Sequence, residues 1–289
     1  MAVATLAVIS GPIGSATAAP VIGTSAAVRG EVFVTTQGAE RKARVRDSIK
    51  LQDQVLTRDD SALQILLLDQ TTFTVGQNCQ MTIDRFVYDP ATSAGQVGAQ
   101  VAKGAFRFMS GRIGKQNPTN ASVSTPAATI GIRGTSFEGI VGVDALALAG
   151  LAGLSTEGAD PDGASIIILK GPGPRRNSAD RIGAITVSNG AGSQVLTAPN
   201  FAVFVPSAGA APVGPFKVTA AMQDYLNFFL RSEPNGSPVN PAPTPESAAA
   251  ASGDVDIELP GPDSGPVDRE ADDGVQDEGA DPYGYPGTF

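Results

Sequence analysis

The chain has 289 residues, a formal net charge of −9, no histidine, no tryptophan and one cysteine. Without histidine there is no Ser-His-Asp or Cys-His nucleophile system, and most zinc-enzyme sites and histidine-ligated haem fall away with it. The lone Cys79 makes no internal disulfide, and 34 Gly and 22 Pro against 6% aromatics point to many turns and short strands, or to disordered segments.

The N-terminus is small and apolar. Residues 2–9 read A-V-A-T-L-A-V-I, and Ala16-Thr17-Ala18 fits a small-x-small cleavage site. Residues 1–18 therefore read as a signal peptide, truncated at its start because the first basic residue is Arg29. The competing reading is a weak first strand. Export places the protein in a bacterial periplasm or outside the cell. No stretch reaches about 18 apolar residues, so no membrane span is expected. The nearest, from Ala145 to Leu154, is ten residues long and reads as a short buried helix or a loop.

From 27 to 205 the chain shows recurrent period-2 alternation. Val32 and Val34 open it; Leu63, Ile65 and Leu67 line one face of the next strand, with Leu66 and Leu68 on the other. That pattern predicts a strand covered on both sides in its second half. Phe73 and Val75, Met81 and Ile83, Phe86 and Tyr88, 105–109, 121–124, Ile130 and Ile132, and 137–141 continue the series. Later strands are expected at 166–169, 185–187, 195–196 and 201–205. Turn signals such as Asp69-Gln70, Asn117-Pro118, Gly134 and Asn189-Gly190 punctuate these runs. The fold class is all-β, as a sandwich, barrel or solenoid.

One helix stands apart. Val218, Met222, Tyr225, Leu226 and Phe229 recur at helical spacing behind Thr219, a residue type suited to an N-cap. A helix over 218–231 is expected to cap the domain's own core; a partner-binding amphipathic helix is the alternative. Beyond it, residues 232–289 hold 13 acidic residues and one basic, for a net charge of −12 on this segment and +3 on residues 1–231. Ten of the 22 prolines also lie there, and the segment reads as a disordered acidic tail.

Four blocks carry a family resemblance: V-R-G-E-V (28–32), T-R-D-D-S-A-L-Q-I-L-L-L-D-Q-T-T-F-T-V-G (57–76), G-A-F-R-F (104–108) and T-P-A-A-T-I-G-I-R-G-T-S-F (125–137). In this order they resemble the FecR domain family of bacterial extracytoplasmic sensors, over residues 27–141. The resemblance implies a FecR-like β domain at 27–145, a loop or insertion at 146–163 and a β extension at 164–206. It implies a ligand sensor that signals through a membrane helix to a cytoplasmic sigma-regulating segment, a plan from which this chain departs.

The blocks read as mainly structural. Asp69-Gln70 forms a tight hairpin in which the family usually has Asp-Gly. If the turn needs φ > 0, Gln70 costs about 1–2 kcal/mol there, so a longer or different turn is an alternative. Thr125-Pro126 marks a strand start or an edge, because Pro126 has no N–H for a ladder. Gly134 permits a bulge or a close backbone approach between Ile132 and Phe137, and Thr135 caps that turn with its hydroxyl. Arg133 alternates with apolar neighbours and points to solvent or a groove, where its guanidinium suits an anion. Arg133 and Thr135 are thus the binding candidates; Thr125, Pro126, Gly134 and Phe137 are motif residues.

Other motifs are thin. Asp160-Pro161-Asp162-Gly163 lacks the bidentate Glu of a calcium loop and reads as a turn. Gly111 to Lys115 lacks phosphate-loop spacing and reads as a basic loop. Arg175-Arg176 has little aromatic company, so no nucleic acid is expected. Asp59-Asp60 are not placed across a cleft, and Cys79 reads as half-buried. No catalytic residue, metal site or cofactor emerges. The sequence reads as a non-catalytic binding or sensing module for an envelope ligand or protein partner. The alternatives are a surface scaffold with an acidic spacer and a component of a FecR-type iron-uptake signalling system.

Overall fold

The computed structural model describes residues 19–116, 120–171 and 183–230. The chain divides into residues 1–253 and 254–289, and every described residue lies in the first unit. The expected signal peptide and acidic tail lie outside the described residues, as does Arg175-Arg176.

The described chain is strand-rich, and its strands build two packed sheets. Sheet 1 runs β4 (Ser48–Lys50), β1 (Val21–Arg29), β6 (Ala62–Leu67), β7 (Thr72–Val75), the second half of β9 (Gly95–Met109), β12 (Ser136–Val141), β13 (Ser165–Leu169), β16 (Phe201–Val205) and β17 (Val213–Lys217), all antiparallel. Sheet 2 runs β3 (Ala39–Lys42), β2 (Val32–Thr36), β5 (Gln54–Thr57), β8 (Gln80–Tyr88), the first half of β9, β10 (Ala121–Ser124), β11 (Thr129–Arg133), β14 (Ala184–Asn189) and β15 (Gly192–Leu196). Only the β9–β10 pair in sheet 2 is parallel. The chain crosses repeatedly between the sheets while advancing along both, so the sandwich and solenoid expectations each describe part of one architecture.

Strand β9 joins the layers. Its residues up to Lys103 pair with β8 in sheet 2, and Gly104 to Met109 pair with β12 in sheet 1. Gly104 makes the changeover, with φ +85° and a side that faces Cys79, where a Cβ would come within 2.5 Å of the Cys79 Cα. A left-handed residue pressed against backbone admits only glycine. The sequence suggests a separate strand at 105–109, and suggests a strand pair at 81–88. Each is part of one longer strand: in β9 Gly and Ala residues dilute the apolar alternation, and in β8 a register shift between Thr82 and Arg85 resets its phase from Met81 and Ile83 to Phe86.

The inward faces share one core that includes Phe73, Phe106, Phe108 and Phe137. A second core lies on the outer side of sheet 1, where Ala105, Ile140, Ile166, Ile168 and Phe204 meet helices α2 (Val143–Leu151) and α3 (Ala220–Leu230). Helix α3 buries Met222, Tyr225, Leu226 and Phe229 as its spacing predicts, and the Met222 N–H donates to Thr219 Oγ1 at 3.3 Å. Burying each such side chain stabilises by about 1.5–3 kcal/mol. Helix α2 takes up the apolar stretch from Ala145 as far as Leu151, so the segment 146–163 opens in helix.

Several local expectations change. Strand β1 begins at Val21, ahead of 27, because Gly23 and Ser25 take its buried positions in place of large apolar residues. Leu66 and Leu68 are 42% and 59% exposed, since the helices cover sheet 1 on its β9–β16 side and leave β6 bare. Residues Arg112–Gln116 form a short helix, α1, rather than a loop. Cys79 is fully buried, not half-buried, and burial pushes its thiol up to about 12.

Candidate functional site

The family-motif residues converge at one corner of the sandwich. Thr125 to Ala128 is the turn of the β10–β11 hairpin, not a strand start or edge. The Thr125 N–H donates to Ala128 O at 2.8 Å, and the Ala128 N–H donates to Thr125 Oγ1 at 3.1 Å. Pro126 thus sits in a turn, where its missing N–H costs nothing. Ser165 Oγ donates to Thr125 Oγ1 at 2.9 Å, tying this turn to β13 in the other sheet.

Gly134, at φ +58°, turns the chain from β11 in sheet 2 to β12 in sheet 1. It is a corner rather than a bulge, and the nearest atom to a Cβ there would be 3.7 Å away. The close approach belongs to Gly183, where a Cβ would fall 2.3 Å from the Thr135 Cβ. Thr135 does not cap the turn with its hydroxyl. Its N–H donates to Ser110 Oγ at 3.1 Å and its carbonyl accepts the Ser110 N–H at 3.1 Å, while its hydroxyl lies 3.4 Å from Ser136 O. Phe137 is fully buried, edge-on to Phe106 at 5.9 Å and tilted on Phe108 at 5.4 Å. Arg133 points outward, exposed, with no ion pair among the described residues.

The β6–β7 hairpin explains the Asp of the second block. Gln70 takes φ 69°, and a three-residue loop lets Leu67 and Thr71 close the ladder around it. Asp69 is fully buried. Its carboxylate accepts the Thr71 N–H at 2.9 Å and the Thr71 hydroxyl at 2.7 Å, with the Ile113 N–H at 3.4 Å. Its carbonyl accepts the Arg112 N–H at 2.8 Å. A buried carboxylate with these donors fastens the hairpin to α1. Of the paired acids at 59–60, Asp60 is bound by Arg29 at 2.6 Å and Asp59 accepts from Asn78. Asp160 folds back onto the Asp162 N–H at 3.0 Å in the expected turn. No group of three or more metal-ligating side chains gathers among the described residues.

Two further features escape linear reading. On the outer side of sheet 1, Glu138 is 1% exposed inside the apolar strand β12. Arg107 lies 2.6 Å from one of its carboxylate oxygens and Lys170 lies 3.5 Å from the other. Gln223 of α3 donates to Glu138 Oε2 at 3.4 Å and accepts from Lys170 Nζ. The cluster anchors α3 to the sheet.

The second feature is a groove of about 530 Å³ between two hairpin tips, lined by Ala19, Pro20, Thr35, Gln37, Leu51 and Gln52, with Gly38 and Gln54 completing it. Gln37 and Gln52, one in each tip, hold left-handed conformations at φ 49° and 68°. Asp53, 1% exposed, locks the two tips together. It accepts the Thr36 hydroxyl at 2.5 Å and the Lys50 N–H at 2.9 Å, with Arg41 at 3.9 Å. The Gln52 side-chain amide donates to Asp84 O at 3.0 Å. No lining residue is charged. Amides both donate and accept, so the groove suits an uncharged ligand rich in hydroxyl or amide groups.

The family model described as FecR protein matches residues 53–153, spanning the Asp53 lock, the Asp69 hairpin, the shared strand β9 and the 125–137 corner. The chain thus contains a FecR domain over residues 53–153. Its groove lies almost wholly before the matched segment. No curated protein matches the chain. Among solved structures it is similar to a cell surface anchoring domain at 27% identity, over 21% of this chain and 82% of that one, with a TM-score of 0.21. It is also similar to two structures of a protein assigned as an anti-sigma factor from Parabacteroides distasonis ATCC 8503. Their identities are 13% and 14% and their TM-scores 0.39 and 0.37, over 60% of this chain and 64% of each. The match to those two spans less than two thirds of their length. No helix among the described residues is long and apolar enough to cross a membrane.

Proposed function

We propose that this FecR domain-containing protein is a non-catalytic extracytoplasmic module that binds or senses an envelope ligand or protein partner. The observation that carries the reading is the FecR match at 53–153, which contains the lock Asp53 and adjoins the neutral groove of Gln37, Gln52 and Gln54. Family membership supports a role in a FecR-type signalling system, and the Ala16-Thr17-Ala18 site supports export. The groove's amides favour an uncharged ligand, such as the hydroxyls of a polysaccharide or the backbone of an extended peptide.

Fractionation with N-terminal sequencing tests the compartment, and a mature protein beginning at Ala19 in the periplasm or medium is expected. Envelope polysaccharides, siderophores and envelope extracts are then titrated against the full chain and against Gln37→Ala/Gln54→Ala. Saturable binding weakened in the double variant supports the reading. An uncleaved cytoplasmic protein, or no binding to any of these, overturns it.

A further inference from the structure

The two sheets end in four edge strands, and these edges differ in chemistry. Edge strands normally carry charge, proline or brevity to prevent pairing with other chains. Strand β3 carries Glu40, Arg41 and Lys42; β4 is three residues long and ends on Lys50; β17 carries Pro215 and Lys217. Strand β15, Gly192–Leu196, has neither charge nor proline, and its Val195 is 48% exposed.

The register shows what this edge offers. Strand β15 pairs with β14 through Asn189↔Gly192, Val187↔Gln194 and Ile185↔Leu196. A two-residue hairpin closes on a hydrogen-bonded pair, and such pairs alternate along the ladder. Ser193 and Val195 therefore turn their N–H and C=O groups away from β14. Both residues are exposed, and neither backbone has another partner among the described residues.

We propose that β15 is a self-association edge, pairing antiparallel with β15 of a second copy of this chain about a two-fold axis through Gln194. In that register Ser193 faces Val195 of the second copy and Val195 faces its Ser193. Four backbone hydrogen bonds form, and Gln194 stands beside its own copy. A second copy is the fitting occupant because the segment is complementary to itself: uncharged against uncharged, with a small hydroxyl opposite an exposed valine, while each Gln194 side-chain amide stays on its own Pro212 O at 3.4 Å. Two-fold contacts of this kind are the commonest form of self-assembly. Sheet 2 then continues across the dimer, while Pro215 and Lys217 on the neighbouring β17 keep sheet 1 from doing the same.

The test is sedimentation of the full chain with variants of β15. The wild type is expected to be a concentration-dependent dimer. Val195→Pro removes only an N–H that the monomer does not use, and is expected to raise the dimer dissociation constant by about tenfold or more. Val195→Lys serves the same purpose if the proline variant folds poorly. Gln194→Cys is expected to form an intermolecular disulfide under mild oxidation, because facing non-hydrogen-bonded residues lie about 4.5 Å apart at Cα. A chain that stays monomeric at high micromolar concentration overturns the proposal. A dimer untouched by both Val195 variants, or one in which Gln194→Cys fails to cross-link, also overturns it. A β15 edge that captures a strand from a different protein while the chain itself stays monomeric overturns the second copy as occupant.

Discussion

Strands β13 and β14 follow one another in sequence yet obey different rules. In β13 all five residues of Ser165–Leu169 are buried, with Ile167 and Leu169 facing the sandwich interior and Ile166 and Ile168 facing the helices. In β14 only one face is apolar: Ile185 and Val187 point inward, while Thr186 and Ser188 lie on the partly exposed side. The outward register of a strand thus reports whether a third layer covers it. Strand β6 departs from that rule, since its outward Leu66 is apolar on a face that no helix covers.

The largest test of this contrast is in β13. Ile168→Ala is expected to destabilise by about 2–5 kcal/mol, as much as Ile167→Ala, because both side chains leave cavities. Thr186→Ala on β14 should stay within about 0.5 kcal/mol. Denaturant melts decide it, and an Ile168→Ala as mild as Thr186→Ala would mean that the helices do not pack on the sheet. Next comes the polar seam beneath α3. Arg107→Met strips the closest cation from a buried carboxylate and should cost about 1–3 kcal/mol, below the loss for a fully isolated pair because Lys170 and Gln223 remain. Glu138→Gln should cost less, since Arg107 and Lys170 are partly exposed and can turn to water. The reverse order in thermal melts would show that the cations, not the carboxylate, need the contact.

A smaller effect lies at the contact between the two helices. Burial pushes the Asp144 carboxyl up from its ordinary 3.8, and the hydrogen bond donated by Tyr225 at 3.1 Å pulls it partly back. The folded state then holds this proton more tightly than the unfolded chain. The contribution of Asp144 to stability falls as pH rises from 3.8 through the raised value, and stays lower at neutral pH. Asp144→Asn should therefore gain stability relative to wild type between acid and neutral pH, and a constant difference across that range would contradict it. Smallest of all, Leu66→Thr should change stability by less than about 0.5 kcal/mol while leaving the melt cooperative; a large loss would reveal a cover over β6.

The sequence reading reaches furthest where the signal is local. The strands around Leu63 and Phe73, the Asp69-Gln70 turn and the stripe of α3 each declare themselves within a dozen residues, because a period or a turn is a short-range property. The 125–137 corner is recognisable as a motif, yet its chemistry differs from expectation. Only the fold shows that Thr125 reaches Ser165 and that Thr135 engages Ser110 through its backbone. Glu138 is hidden for the same reason: its partners stand 31, 32 and 85 positions away, on β9, just past β13 and on α3. The groove combines Ala19 with two hairpin tips, and its one linear sign is the recurrence of glutamine, Gln37 and Gln52 in turns and Gln54 at the start of β5.

Strand β9 has a mechanical consequence. A conventional sandwich can lose one sheet while the other persists, because the two share only side-chain contacts. Here a single backbone is ladder-bonded in both sheets, to β8 and β10 before Gly104 and to β7 and β12 after it. Neither sheet can come apart at its centre without releasing that strand from the other. The two sheets are therefore expected to unfold as one cooperative unit, with the central amides of β9 among the last to exchange with solvent.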